Sequence, residues 1–171
     1  MDVLEAILSR RSIRKFKKDK PVEEEKLQKV LDACRAAPSA HNRQPWEFIV
    51  ITSKEALKAI SKETAYGQFL ASAPMGVAIV LDPKVSPDQY MVDGGIVSQN
   101  FALAAYGLGL GTCWVGTMNR DKVKGLLGIP AEKYLLTVLP LGYPDGNFPA
   151  IPRKPLKDVL YYEKYDQRNR C

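Results

Sequence analysis

The sequence predicts an α+β sandwich, and three observations lead there. Apolar runs of strand length and amphipathic stretches of helix length are mixed without strict alternation. The run over residues 76–81 is continuously apolar, as in a strand covered on both faces. Residues 88–108 have helix length and are apolar nearly all round from Gly94 onward, with Ser98, Gln99 and Asn100 the main polar exceptions. A helix apolar on every side must be buried on every side. A chain of 171 residues reads as one domain, with little room for a central helix. Burial against a second copy solves this, so a homodimer is expected.

The elements follow in order. Asp2 is placed to cap a first helix running to about Arg11, with Val3, Leu4, Ile7 and Leu8 on one face. Pro21-Val22-Glu23 opens a second, amphipathic through Leu27, Val30, Leu31 and Cys34 and ending before Pro38. Residues 48–51 read as strand, and Ser53 caps a third helix to about Glu63. Residues 66–72 are ambiguous and are read as a short helix. Residues 83–87 are loop before the long helix over 88–108, which Gly107 and Gly109 help to end. A third strand is expected over 112–117. Asn119 caps a helix to about Leu127, with Gly128 just past its end and Pro130 beyond. Residues 135–141 form a fourth strand, in which Pro140 suits an end or an edge. From Tyr143 the chain is proline-rich and irregular. The tail, 159–171, is polar and aromatic; unable to form a core alone, it is expected to wrap a neighbour.

The composition, 46% hydrophobic and 26% charged, is that of an ordinary globular protein able to build a core. The net charge of +6 comes from basic residues interleaved with acids, as in Lys17-Lys18-Asp19-Lys20. Such interleaving reads as solvated faces and not as a nucleic-acid stripe. Cys34, Cys113 and Cys171 lack CxxC spacing and there is a single histidine, which argues against a zinc site, and no metal is expected. An odd cysteine count without a signal peptide predicts a reducing, cytoplasmic setting. No apolar run approaches the roughly 20 residues of a membrane helix.

Two segments carry chemistry. Residues 37–46, Ala-Pro-Ser-Ala-His-Asn-Arg-Gln-Pro-Trp, are bracketed by prolines that disfavour helix before them, so a rigid polar loop is expected. Its carbonyls and amides match the mixed donor and acceptor edge of a flat heterocycle. Upstream, Arg10-Arg11-Ser12-Ile13-Arg14 gathers guanidinium groups and a hydroxyl into a phosphate clamp. Lying at the negative end of the first helix dipole, the site needs several cations to hold a phosphate. Together the two segments suggest a nucleotide-like cofactor.

Five motifs stand in order along the chain: Arg10-Arg11-Ser12-Ile13-Arg14-Lys15-Phe16; Pro38 to Trp46; Gln99-Asn100 leading into Gly111-Thr112-Cys113-Trp114-Val115-Gly116; Pro140-Leu141-Gly142-Tyr143-Pro144; and Arg153-Lys154-Pro155-Leu156. Each alone is weak, and in register they are strong. Over nearly the whole chain they resemble the nitroreductase family of FMN-dependent oxidoreductases. The resemblance implies a three-layer sandwich with a mixed, mainly antiparallel sheet flanked by helices. It also implies a homodimer with a swapped C-terminal tail and FMN sites at the interface.

By position, Arg10 and Ser12, with Arg11 beside them, match phosphate ligands. Arg153 or Lys154 matches a late cation on the same phosphate. Arg14 matches a residue near the pyrimidine edge, where a positive charge stabilises the reduced ring. Pro38, Ser39 and Ala40 match a loop reaching the ring from the partner subunit; Asn42 and Gln44 either touch the flavin or orient that loop. Cys113, Trp114, Val115 and Gly116 match the strand whose backbone faces N5. Trp46 is read as core, and Gln99 and Asn100 as buried at the dimer interface. No residue is assigned a catalytic role of its own, since flavin N5 carries the chemistry. Cys113 is not read as a nucleophile, nor His41 as an obligatory base.

The chain is short between Ser61 and Pro74, so the site is expected to be open, or roofed only by Tyr66, Phe69 and Tyr90, with His41 also on the substrate side. The implied activity moves hydride from NADH or NADPH through FMN to small acceptors such as nitroaromatics or quinones in a ping-pong cycle. With no Gly-x-Gly-x-x-Gly, nicotinamide binding should need no Rossmann domain. The specialised dehalogenase and flavin-cleaving branches fit less well. An FMN storage or sensor protein, or a flavoenzyme with a non-nicotinamide donor, stays as the alternative.

Overall fold

The computed structural model describes residues 2–167; the remainder of the tail, with Cys171, lies outside them. Its centre is β2 (Met75–Leu81), buried along its whole length. Among the described residues β2 is the middle of a sheet ordered β1 (Trp46–Ile51), β2, β3 (Tyr134–Leu141), antiparallel throughout. Trp46 pairs with Leu81 at one end of β1, and Ile51 with Gly76 at the other. β3 pairs Leu141 with Met75 and Tyr134 with Leu81, with a register shift at Ile79/Val80. Pro140 lies one residue from the end of this outer strand, as its missing N–H requires.

The period-2 alternation of β2 divides the core between two faces. Val77, Ile79 and Leu81 enter a cluster with Val30 of α2 (Glu24–Arg35) and Val97 and Phe101 of α4 (Tyr90–Gly107). Ala78 and Val80 enter the opposite cluster with Leu57 and Ile60 of α3 (Lys54–Lys62), Leu70 of a 3-10 turn (Gln68–Ser72) and Val123 of α5 (Arg120–Leu127). Helices on both faces of one sheet make the three layers. Trp46 is core, 8% exposed.

The expected caps are in place. Ser53 Oγ accepts from Ala56 N (3.1 Å), Asn119 Oδ1 accepts from Lys122 N (3.3 Å), and Gly128 closes α5 in the left-handed region at φ 66°.

Several elements differ from expectation. The first helix, α1 (Val3–Ser9), stops short of Arg11, because the chain turns extended at Arg10 to form a parallel bridge, Ser12 with Thr112. Ile13 N donates to Thr112 O at 2.8 Å. Residues 112–117 run extended beside β3 but form no ladder. Val115 is held instead by the Thr137 hydroxyl, which accepts from Val115 N (3.2 Å) and donates to Val115 O (3.0 Å). One long backbone bond, Val138 N donating to Val115 O (3.4 Å), is the backbone contact with β3 at Val115. The loop before β1 contains a short turn (Ala40–Asn42) that departs from 3-10 geometry, with His41 at φ 52° and Asn42 at φ 56° in the left-handed region.

The apolar surface of α4 is not closed within this chain. Val97, Phe101 and Ala105 face inward, while Met91 and Val92 are exposed and nothing lies within 4 Å of a Cβ built on Gly95. Gln99 is exposed, and half-buried Asn100 donates through Nδ2 to Ala33 O (2.9 Å). Asn100 therefore ties α4 to α2 within the chain. On α1 only Ala6 is buried; Val3, Leu4, Ile7 and Leu8 are all exposed.

Lys133, at the start of β3, donates to Glu47 of β1 (2.7 Å) and to Asp82 just past β2 (2.9 Å). The Lys133 hydrogen bond and the Lys84 backbone N–H hold the Asp82 carboxyl below its ordinary 3.8. A depressed carboxyl contributes stability above its unfolded value that is lost as pH falls through its folded value. The urea midpoint of the protein should therefore drop on acidification below 3.8. Lys133→Met should make that drop shallower without abolishing it, because the Tyr143 hydroxyl depresses Glu23 in the same way. Urea titrations at a series of acid pH values check both.

Candidate functional site

The extended segment that follows α1 and the unladdered 111–117 segment lie side by side, and Gly111 makes this possible. A Cβ there would stand 2.5 Å from the Ile13 side chain, so the two backbones approach only with glycine at that position. Three cavities adjoin one another through shared lining residues. The first, about 240 Å³, is lined by Arg10, Arg11, Ser12 and Arg14 on one side and Phe148, Pro149, Ile151 and Arg153 on the other. The second, about 120 Å³, shares Arg10 and Ser12 with the first and adds Ser98, Gln99, Thr112, Cys113 and Trp114. The third, about 290 Å³, shares Trp114 with the second and adds Tyr66, Val115, Gly116 and Thr117. A guanidinium cluster thus stands at one end of a cleft and aromatic rings at the other.

The middle of the cleft holds two polar atoms with no hydrogen-bond partner among the described residues. Arg10 Nε and Thr112 Oγ1 are both buried. A guanidinium N–H and a threonine hydroxyl left unmatched each cost roughly 1–3 kcal/mol. Their placement beside Ser12 fits a ligand rich in acceptor oxygens, such as a phosphate with a polyol chain.

The other cations differ in what they do. Arg11 Nη1 donates to Leu8 O and Arg10 O, both at 2.9 Å, and so occupies the carbonyl end of α1. Arg14 lies beyond the helix on the extended segment, which corrects the expectation that the whole cluster sits on the helix end. Arg153 lines the first cavity and Lys154 does not. Cys113 is buried, and burial pushes its thiol up, against the opposing charges of Arg14 and Arg10 and a hydrogen bond with Ser12. A raised thiol pKa opposes nucleophilic use.

On the segment itself, Val115 points into the core while Trp114 is 47% exposed. Arg120 steadies it from behind: Nη2 donates to Gly116 O (2.9 Å) and Nε to Leu135 O (3.0 Å). Tyr66 is 80% exposed at the cleft mouth. Phe69 packs instead with Ile13, Phe16 and Ala73 and does not line the cavity with Tyr66. Tyr90 stacks edge-on with Tyr134, centroids 5.8 Å apart, and lines none of the three cavities.

The loop with Pro38, Ser39, Ala40, His41 and Asn42 also lines none of the three cavities. It is anchored at the start of α4, where Asp93 Oδ1 accepts from Ala40 N (3.0 Å) and Oδ2 accepts from Ser86 Oγ (2.9 Å). Ser39 Oγ accepts from Gln44 N (2.9 Å), and Gln44 Nε2 donates to Asn42 O (3.1 Å). Gln44 thus serves its own loop. Asp93, Thr112 and Arg120 were not singled out from the sequence. Only Asp93 carried a signal, as an acid at the head of an apolar helix.

The Nitroreductase family model matches residues 7–68 and 60–143. A Methanothermobacter thermautotrophicus protein, provisionally named an NADH dehydrogenase/NAD(P)H nitroreductase, is 42% identical over 153 residues, covering 86% of this chain and 80% of that protein. FMN reductase (NAD(P)H) of Bacillus subtilis is 30% identical, covering 96% of this chain and 74% of its own. The structure of the NADPH:FMN oxidoreductase of Vibrio harveyi complexed with NAD+ superposes with a TM-score of 0.88 at 30% identity, covering 98% of this chain and 79% of that one. The α+β sandwich is the fold of these solved nitroreductase-type structures. This chain belongs to the nitroreductase family.

Proposed function

We propose that the protein is an FMN-dependent NAD(P)H oxidoreductase acting on small acceptors such as nitroaromatics or quinones. The observation that carries this reading is the pair of unmatched buried donors, Arg10 Nε and Thr112 Oγ1, inside a cleft that also holds Ser12. Arg10, Ser12 and Arg153 hold the phosphate, Arg11 supports them from the helix end, and Arg14 brings its charge toward the pyrimidine edge of the ring. The backbone of Cys113, Trp114, Val115 and Gly116 forms the wall against the ring. When bound, FMN supplies two-electron chemistry, accepting hydride from a reduced nicotinamide and yielding electrons to an acceptor. The protein binds, orients and leaves one face open, so that donor and acceptor take turns in a ping-pong cycle.

The functional unit is proposed to be a homodimer formed by one domain per chain. The uncovered apolar stripes of α4 and α1 support this. So does the loop at 38–44, which lies off its own protomer's cleft and is proposed to complete that of the partner. Ile151, Leu156 and Val159 are exposed along the final segment, consistent with a tail that wraps the second subunit. No helix of the described residues is long and apolar enough to cross a membrane, and a cytoplasmic setting is proposed.

An anaerobic near-ultraviolet and visible spectrum, taken before and after NADH or NADPH, tests this reading. A flavin spectrum that bleaches is the expected result and identifies the donor. Flavin that stays oxidised with both would turn the reading toward another donor or a storage role. No flavin after incubation with FMN would overturn it.

A further inference from the structure

We propose that a cavity between Lys18 and Lys54 binds the phosphorylated adenosine end of NADPH, making these two lysines the residues that select NADPH over NADH. This rests on the FMN oxidoreductase reading above and names the donor for it.

The cavity, about 420 Å³, is lined by two cations, Lys18 and Lys54, one acid, Asp19, and an apolar floor of Ala71, Ala73 and Pro74. It shares no lining residue with the three cavities of the cofactor cleft. Backbone contacts fix its walls. Phe16, 2% exposed, bridges Pro144, and Lys17 N donates to Tyr143 O (2.9 Å), which holds the turn carrying Lys18 and Asp19. Lys54 is the first residue of α3, whose cap is Ser53. Pro74 packs on Gly142, where a Cβ would stand 2.6 Å from Pro74 Cδ. The 3-10 turn and α3 cover one face of the sheet and α4 the other, so the cavity lies away from the stripe assigned to the second subunit.

Among the described residues neither ammonium forms an ion pair or a hydrogen bond. Glu55, the acid beside Lys54, accepts from Ser53 Oγ at 2.9 Å. Two cations that share a cavity repel each other, and a dianion seated between them relieves that repulsion. An ammonium, with three donors and a compact charge, suits a phosphate. Asp19 can only accept, which suits a ribose hydroxyl or an adenine amino group. The apolar floor suits the face of a purine. Together these describe a phosphorylated nucleoside.

Its position says which one. An exposed track through Tyr66, Gln68, Ala71 and Ser72 runs from the third cavity of the cleft to this one, over buried Gly67, Leu70 and Ala73. The five-residue 3-10 turn along this track, at roughly 2 Å per residue, spans about 10 Å. A dinucleotide with its nicotinamide at the open cleft bridges that length with its pyrophosphate and brings its adenosine to Lys18 and Lys54. NADPH and NADH differ only there, by the 2′-phosphate, so cations at this place discriminate between them.

The test titrates the FMN-loaded protein calorimetrically with 2′,5′-ADP and with 5′-AMP, which lacks the 2′-phosphate. The first should bind about tenfold more tightly or better, and Lys18→Met with Lys54→Met should remove the difference. Lys18→Arg with Lys54→Arg should keep most of it. In turnover with 1,4-benzoquinone, the ratio of kcat/KM for NADPH to that for NADH should be about ten or more. It should fall toward one in the Met variant, through KM for NADPH, with NADH unchanged. Both lysines are exposed, so the urea midpoint should hold. Equal affinity for the two probes, or a preference that the Met variant retains, would refute the site while leaving the oxidoreductase reading in place. An FMN-loaded protein reduced by neither nucleotide would overturn both.

Discussion

Replacing Arg10 and Arg14 together with Ala is expected to strip FMN from the protein while leaving it folded. Each guanidinium contributes charge-assisted hydrogen bonds worth roughly 1.5–3 kcal/mol, so the pair corresponds to a Kd raised on the order of 10²–10⁴-fold. The fold should not notice. Arg14 is exposed, and Arg10 Nε has no partner among the described residues to lose. The Arg10 backbone N–H, which donates to Ala6 O at 3.0 Å, is unaffected by the substitution. Flavin content on purification, FMN titration and a urea midpoint check the three parts. A double variant that retains stoichiometric FMN would refute the phosphate clamp.

The second large effect is expected at Asp93, which is 2% exposed. Its two oxygens are used by Ala40 N and by Ser86 Oγ, itself fully buried. Asp93→Leu leaves both donors unmatched, at roughly 1–3 kcal/mol each. It also frees a loop in which His41, Asn42 and Gln44 stand at φ 52°, 56° and 50°. Left-handed backbone at residues other than glycine costs of order 1–3 kcal/mol each and persists only where its surroundings hold it. The urea midpoint should fall, and hydrogen exchange at Ala40 and Asn42 should rise more than elsewhere. Asp93→Asn should be milder if its remaining oxygen faces Ala40 N, because the Ser86 hydroxyl can turn and accept from the amide. Exchange at 40–42 unchanged from the parent in Asp93→Leu would show that the loop holds itself.

These two sites differ in how far the sequence exposed them. The arginine cluster was legible as a cluster, because side-chain chemistry and close spacing suffice to define a phosphate site. Its geometry was not. Helix propensity does not report that Ser12 and Ile13 pair with Thr112, a residue far along the chain, and this pairing ends α1 at Ser9. The same holds for residues 112–117, whose apolar, β-branched pattern predicts a strand. Val115 is held mainly by the Thr137 hydroxyl, with one long backbone bond from Val138 N and no ladder. Asp93 could be noticed in the sequence, but nothing local says that its oxygens face a loop more than fifty residues earlier, |i−j| = 53 for Ala40.

By itself the sequence determined what depends on neighbours along the chain. This covers the buried central strand from its unbroken apolar run, the helix ends from Ser53, Asn119 and Gly128, and the family from motifs in register. Propensity, capping and periodicity act over a few residues, so they can be read in one dimension. Tertiary structure alone decided which groups meet across long separations: Arg10 and Ser12 with Thr112 and Trp114, Tyr66 with Thr117, Asp93 with the 38–44 loop. Those meetings are set by how layers pack and which backbones can approach. At Gly111 and Gly67 the missing Cβ shows its purpose only once the opposing Ile13 and Val115 are in place.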